Sequence, residues 1–123
     1  MDDELDLVTA AEDAEKVRGE HFTVWWPEVD RLANAGRWGD YEALLCEMRD
    51  ATERGSELAG WTLAPRPTLS LADLYEQRGD TERAIAELER FLNAIVRYRQ
   101  VEPEGGDTGQ QRATERLQRL REG

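Results

Sequence analysis

The stretch Thr68–Val96, TLSLADLYEQRGDTERAIAELERFLNAIV, decides the fold. In its first half Leu71, Leu74 and Tyr75 recur at helical spacing with Ala72 among them, while Asp73, Glu76, Gln77 and Arg78 fall on the other side. That half is an amphipathic helix. Gly79 follows the last periodic residue and can take the left-handed conformation that ends a helix, and Asp80 or Thr81 offers a side-chain oxygen to start the next. In the second half Ala84, Ile85, Leu88, Phe91 and Leu92 repeat at three and four, with Glu82, Arg83, Glu87, Glu89 and Arg90 outside. The expectation is two antiparallel helices, with small side chains at Ala72 and Ala84 letting the backbones approach while Leu71, Tyr75, Leu88 and Phe91 fill in around them.

Working outward, Leu71-Ala72, Tyr75, Gly79-Asp80, Ala84-Ile85 and Leu88 resemble one tetratricopeptide repeat, with its large, small, aromatic, glycine and second small positions in order. Periodicity alone also fits an unrelated helical pair, but it does not ask for the two alanines. The resemblance covers about a quarter of the chain, residues 65–98. A second, degenerate likeness spans residues 22–58, carried by Leu32, the glycine at Gly36 and the aromatic at Trp38. There Val29 and Tyr41 stand where the family has small residues, so wider helix spacing is expected. Gly36 and Gly79 are 43 residues apart, about nine more than the usual 34-residue period. The excess is assigned to a long second helix, to Glu57 or Leu58, and to the connector AGWTLAPRP with Pro65 and Pro67. The fold class expected is all-α: antiparallel hairpins of the tetratricopeptide superhelix type, closed by a C-terminal capping helix.

At 123 residues the chain is expected to form one domain. Its segments are an acidic helix or tail (1–20), a degenerate hairpin (21–60), a proline-containing connector (61–66), a hairpin (67–101), a loop (102–107) and a cap (108–121). Residues 2–20 hold eight acids against Lys16 and Arg18, and a short helix from Leu7 to Arg18 is expected there. Phe22, Val24, Trp25 and Trp26 form an apolar knot before Pro27, which suits the first turn of a helix reaching Ala35. Trp38, Tyr41, Leu44 or Leu45, and Met48 line one face of the following helix. Near the end, Glu102-Pro103-Glu104-Gly105-Gly106-Asp107 breaks the helix, and Ala113, Leu117 and Leu120 give a polar helix with a narrow apolar stripe.

The net charge of −11 disfavours nucleic acid as a partner. A single cysteine, Cys46, rules out an internal disulfide and favours a reduced, cytoplasmic setting, with Cys46 read as a small buried apolar residue. The N-terminal residues are acidic where a secretory signal is basic, and no apolar run is long enough to span a membrane. His21 is the only histidine, and no zinc-ligand spacing, phosphate-binding glycine loop or calcium loop occurs. No enzyme activity and no cofactor is expected; a small hydrolase built on His21 and Cys46, or a regulator of a partner enzyme, is the outlying alternative.

The family resemblance implies a groove lined by the first helices of the hairpins and holding a partner protein segment. On this chain those positions are Trp26, Asp30, Ala33 and Asn34, then Arg66, Leu69, Asp73, Glu76 and Gln77. Asp73 and Glu76 would repel a carboxylate, so the expected partner is a basic or arginine-rich segment against Trp26 and an acidic floor. The competing readings are that Trp25, Trp26 and Trp61 simply pack core and cap, and that two hairpins complete their core by forming a homodimer.

Overall fold

The computed structural model describes residues 2–59, 63–99 and 107–122. Among them six α-helices dominate, with one 3-10 helix and a pair of two-residue strands, so the class is all-α. The chain divides into two compact units, Met1–Trp61 and Thr62–Gly123. In each, the longest helix is the spine against which two others pack.

The first unit runs α1 (Asp2–Ala14), β1 (Lys16–Val17), β2 (Glu20–His21), a 3-10 helix (Phe22–Trp25), α2 (Trp26–Asn34) and α3 (Trp38–Ala59). Both α1 and α2 pack on α3. Leu44, Leu45, Met48 and Ala51 of α3 are fully buried, with Ala11, Phe22, Val29 and Leu32 from the covering elements. Each large side chain withdrawn from water in this way contributes about 1.5–3 kcal/mol. The length of α3, which accounts for much of the excess spacing between Gly36 and Gly79, is matched by this second covering helix. Arg54 joins the two: its Nε donates to the Ala14 carbonyl at the end of α1 at 3.0 Å, and its Nη2 to the Lys16 carbonyl of β1 at 3.4 Å. One residue on, Gly55 leaves a notch filled by Glu15, and a methyl group there would fall on the Glu15 Cγ and carboxyl carbon.

The helix expected from Leu7 to Arg18 instead starts at Asp2 and stops at Ala14, and a hairpin follows. Its strands pair Lys16 with His21 and Val17 with Glu20. Both turn residues, Arg18 (φ 52°) and Gly19 (φ 90°), have positive φ, as a two-residue turn matched to strand twist requires. Arg18 takes the place of the asparagine, aspartate or glycine that such a turn favours, so neither residue type nor periodicity announced it. Two further expectations are corrected. Val24 of the apolar knot is 52% exposed. Cys46 is half-buried, not a core residue.

The second unit runs α4 (Arg66–Gln77), α5 (Thr81–Arg99) and α6 (Asp107–Glu122), with α4 and α6 both packed on α5. Leu71, Ala72, Ala84 and Leu88 are fully buried, and Tyr75 and Phe91 nearly so. These are the packing positions read from spacing. Ala113 and Leu117 are the buried residues of α6. The roles expected for Trp61 and for the loop at 102–106 lie outside the described residues.

Both hairpins turn in the same way. After α4 the Gly79 amide bonds the Glu76 carbonyl at 3.0 Å and the Asp80 amide the Tyr75 carbonyl at 2.8 Å. After α2 the Gly36 amide bonds Ala33 at 3.0 Å and the Arg37 amide bonds Leu32 at 2.9 Å. Each is a Schellman motif with glycine in the left-handed region, φ 75° at Gly79 and 70° at Gly36. No helix among the described residues is long and apolar enough to cross a membrane.

Candidate functional site

The residues expected to form the groove fall within two separate units. On α2, Trp26 and Ala33 are half-buried while Asp30 and Asn34 are exposed, so these four share a strip at the edge of the packed face. On α4, Arg66, Asp73 and Gln77 are exposed and Leu69 and Glu76 are half-buried.

The acidic floor expected on α4 already has a cation. Arg116 of α6 reaches across so that its Nε donates to Glu76 at 2.6 Å, its Nη2 bonds both Asp73 and Glu76, and its Nη1 approaches the Leu69 carbonyl at 3.5 Å. Arg119 adds a longer contact to Glu76 at 3.6 Å. Burial alone would depress the Arg116 pKa, but the hydrogen bonds to Asp73 and Glu76 and their charges outweigh it, and the net shift is upward. Leu69, Asp73 and Glu76 therefore meet around one side chain, and the group they hold belongs to the same unit.

His21 meets neither Cys46 nor any metal-like set; its partners are Glu15 and Thr23. The Thr23 amide donates to Nδ1 at 3.3 Å and the Thr23 hydroxyl lies 2.8 Å from the same nitrogen. With Nδ1 the acceptor, Nε2–H is left to donate to Glu15 Oε1 at 3.0 Å. The order of groups, hydroxyl, imidazole, carboxylate, is that of a proton relay. Its two outer bonds, however, cap the 3-10 helix and anchor the hairpin to the Glu15 side chain seated at Gly55. Among the described residues no group of three or more His, Cys, Asp or Glu side chains is placed to hold a metal ion.

A feature that the spacing did not announce lies on the other flank of α2. A cleft of about 250 Å³ is lined by Arg18, Glu28, Arg31, Leu32, Arg37 and Asp40. Arg18 comes from the hairpin turn, Glu28 and Arg31 from α2, and Arg37 and Asp40 from the start of α3. Arg18 donates Nε and Nη2 to Glu47 at 3.3 and 2.6 Å and lies over the Trp25 ring, 5.7 Å from its centroid. Trp25 is itself fixed by an indole N–H bond to the Val17 carbonyl at 2.9 Å. Arg31 gives Nε and Nη2 to Glu28, and Arg37 Nη2 lies 2.5 Å from Asp40. The hydrogen bond to Arg31 draws the Glu28 carboxyl below its ordinary value, and the bonds to Glu28 and Glu47 raise the Arg31 and Arg18 guanidinium values. The sign that could have disclosed this cleft is positional: Arg37 follows the glycine turn where a helix-capping side chain belongs.

No protein-family model, no curated protein and no solved structure matches the chain.

Proposed function

We propose that the chain is a non-catalytic protein-binding module built from two helical hairpins of tetratricopeptide type. The observation that carries this reading is the repeated device. Two helix pairs turn through the same glycine-centred motif, the glycines 43 residues apart, and in the second pair Ala72 and Ala84 are both fully buried. On this reading α6 is the cap of the second hairpin, and its Arg116 serves the role of the neighbour that a longer array would supply.

The partner-facing strip is then the outer side of α2, where Trp26 supplies an apolar and cation-binding surface and Asp30 and Asn34 supply polar contacts. An arginine-bearing segment suits this chemistry, and the seating of Arg116 on Asp73 and Glu76 illustrates how such a side chain is held by first-helix acids. The test is affinity capture from the source cell with the full chain, followed by calorimetry on the recovered partner. Trp26→Ala and Asp30→Lys should each weaken binding, and affinity should fall as salt rises. Binding unchanged in both variants, or light scattering that finds an obligate dimer burying Trp26, would remove the α2 strip as the recognition surface.

A further inference from the structure

We infer that the cleft between the hairpin turn, α2 and the start of α3 is a binding site for a phosphomonoester group. The inference rests on the first unit alone and is independent of the partner-binding reading, which survives if it fails.

Three observations point to it. First, the carboxylates around the cleft do not exhaust the guanidinium donors. Glu47 and Glu28 take Nε and Nη2 of Arg18 and Arg31, and Asp40 takes Nη2 of Arg37. Among the described residues no carboxylate or carbonyl takes the Nη1 group of any of the three. A tetrahedral anion with several acceptor oxygens suits a cavity lined by three arginines, and arginine forks match phosphate better than a lone ammonium does. Second, the lining brings three arginines to one cavity, in a chain whose net charge is −11. The paired carboxylates hold Arg31 and Arg37 in place, as fixed second partners do at preorganised sites.

Third, two of the three arginines stand where backbone chemistry prefers another residue. Arg18 is the only non-glycine position with positive φ among the described residues, and asparagine or glycine takes that conformation at less cost. Arg37 is the residue whose carbonyl accepts the first α3 bond, from Tyr41 at 2.9 Å, so it occupies the N-cap without an oxygen to offer. Departures from local preference concentrate at functional sites, and here both departures deliver a guanidinium to one cavity. At about 250 Å³ the cleft is smaller than the roughly 300–1,000 Å³ typical of pockets for whole small molecules. It takes a phosphoryl head, with the remainder of the ligand outside.

The experiment is a titration of the full-length chain at fixed ionic strength, read by calorimetry and by the fluorescence of Trp25 beneath Arg18. The probes are inorganic phosphate, O-phosphoserine, a short phosphoserine peptide and a sugar phosphate, with acetate and chloride as controls. Saturable binding of the phosphate compounds, absent for acetate and chloride, is expected. Arg31→Gln and Arg37→Ser should each weaken it about tenfold, the scale of losing one charge-assisted hydrogen bond, while Arg83→Gln in the second unit leaves it unchanged. A peptide that binds more tightly than free phosphoserine assigns the group to a modified protein, and a sugar phosphate that does so assigns it to a small metabolite. Circular dichroism confirms that each variant is folded. Absence of saturation, or equal affinity in wild type and in folded Arg31→Gln and Arg37→Ser, overturns the inference.

Discussion

The two hairpins share a turn and differ in the residue that follows it. After Gly79 comes Asp80, whose carboxylate accepts the Arg83 amide at 3.2 Å and caps α5. After Gly36 comes Arg37, which has no acceptor, and the guanidinium is turned to Asp40 in the cleft. The second hairpin thus spends its turn residue on its own helix, and the first spends it on a surface. A parallel difference separates the covering helices. The spine of the first unit is covered by a helix that precedes the hairpin, α1, and that of the second by one that follows, α6. One docks through a cap and a glycine notch, the other through an ion-paired arginine.

The largest effects should come from matched truncations of the two spines. Leu45→Ala in α3 and Leu88→Ala in α5 remove fully buried side chains, and each should cost about 2–5 kcal/mol in denaturant unfolding. If one is silent, the picture of two equivalent spines breaks. Next is Gly55→Ala. The added methyl collides with the buried stem of Glu15, so the loss should be about 1–3 kcal/mol. A change within a few tenths would show that Glu15 can leave its notch without cost.

The turn residues give smaller and opposite shifts. Asp80→Ala should destabilise by about 1 kcal/mol, whereas Arg37→Ser, which introduces a capping oxygen, should stabilise by up to about 1 kcal/mol less whatever the Asp40 pair contributes. Thermal melts of the two variants moving in the same direction would erase the contrast between the turns. Smallest is an acid effect in the cleft. Glu28 is held below its ordinary value of 4.5 by Arg31, so the stability it adds is present in full above that value and is lost as pH falls through the lowered one. Glu28→Gln should flatten this part of the acid unfolding profile, and an unchanged profile would mean that solvent screens the pair completely.

What could be read in the sequence was whatever repeats at helical spacing. Leu71, Tyr75, Leu88 and Phe91 announced the second hairpin, and Gly36 and Gly79 announced both turns, because glycine is the residue that ends a helix in the left-handed region. The β-hairpin was hidden because its turn type lies in the sign of φ at Arg18, which the residue itself disfavours. The partner of Asp73 and Glu76 was hidden because Arg116 is 40 or more residues away in sequence, and no local pattern reports such a distance. The arginine cleft was hidden for a related reason: its cations come from a turn, a helix face and a cap position, three places that share no period.

The reach of Arg116 also bears on how the second unit assembles. Bonds from α6 to Leu69, Asp73 and Glu76 join residues 40 to 47 positions apart, whereas α4 and α5 meet across a turn of a few residues. Closing a long loop loses more chain entropy than closing a short one, and rapid steps favour near neighbours. The order this implies is hairpin first and clasp second, so that two carboxylates on α4 spend the interval facing water and one another before the guanidinium arrives.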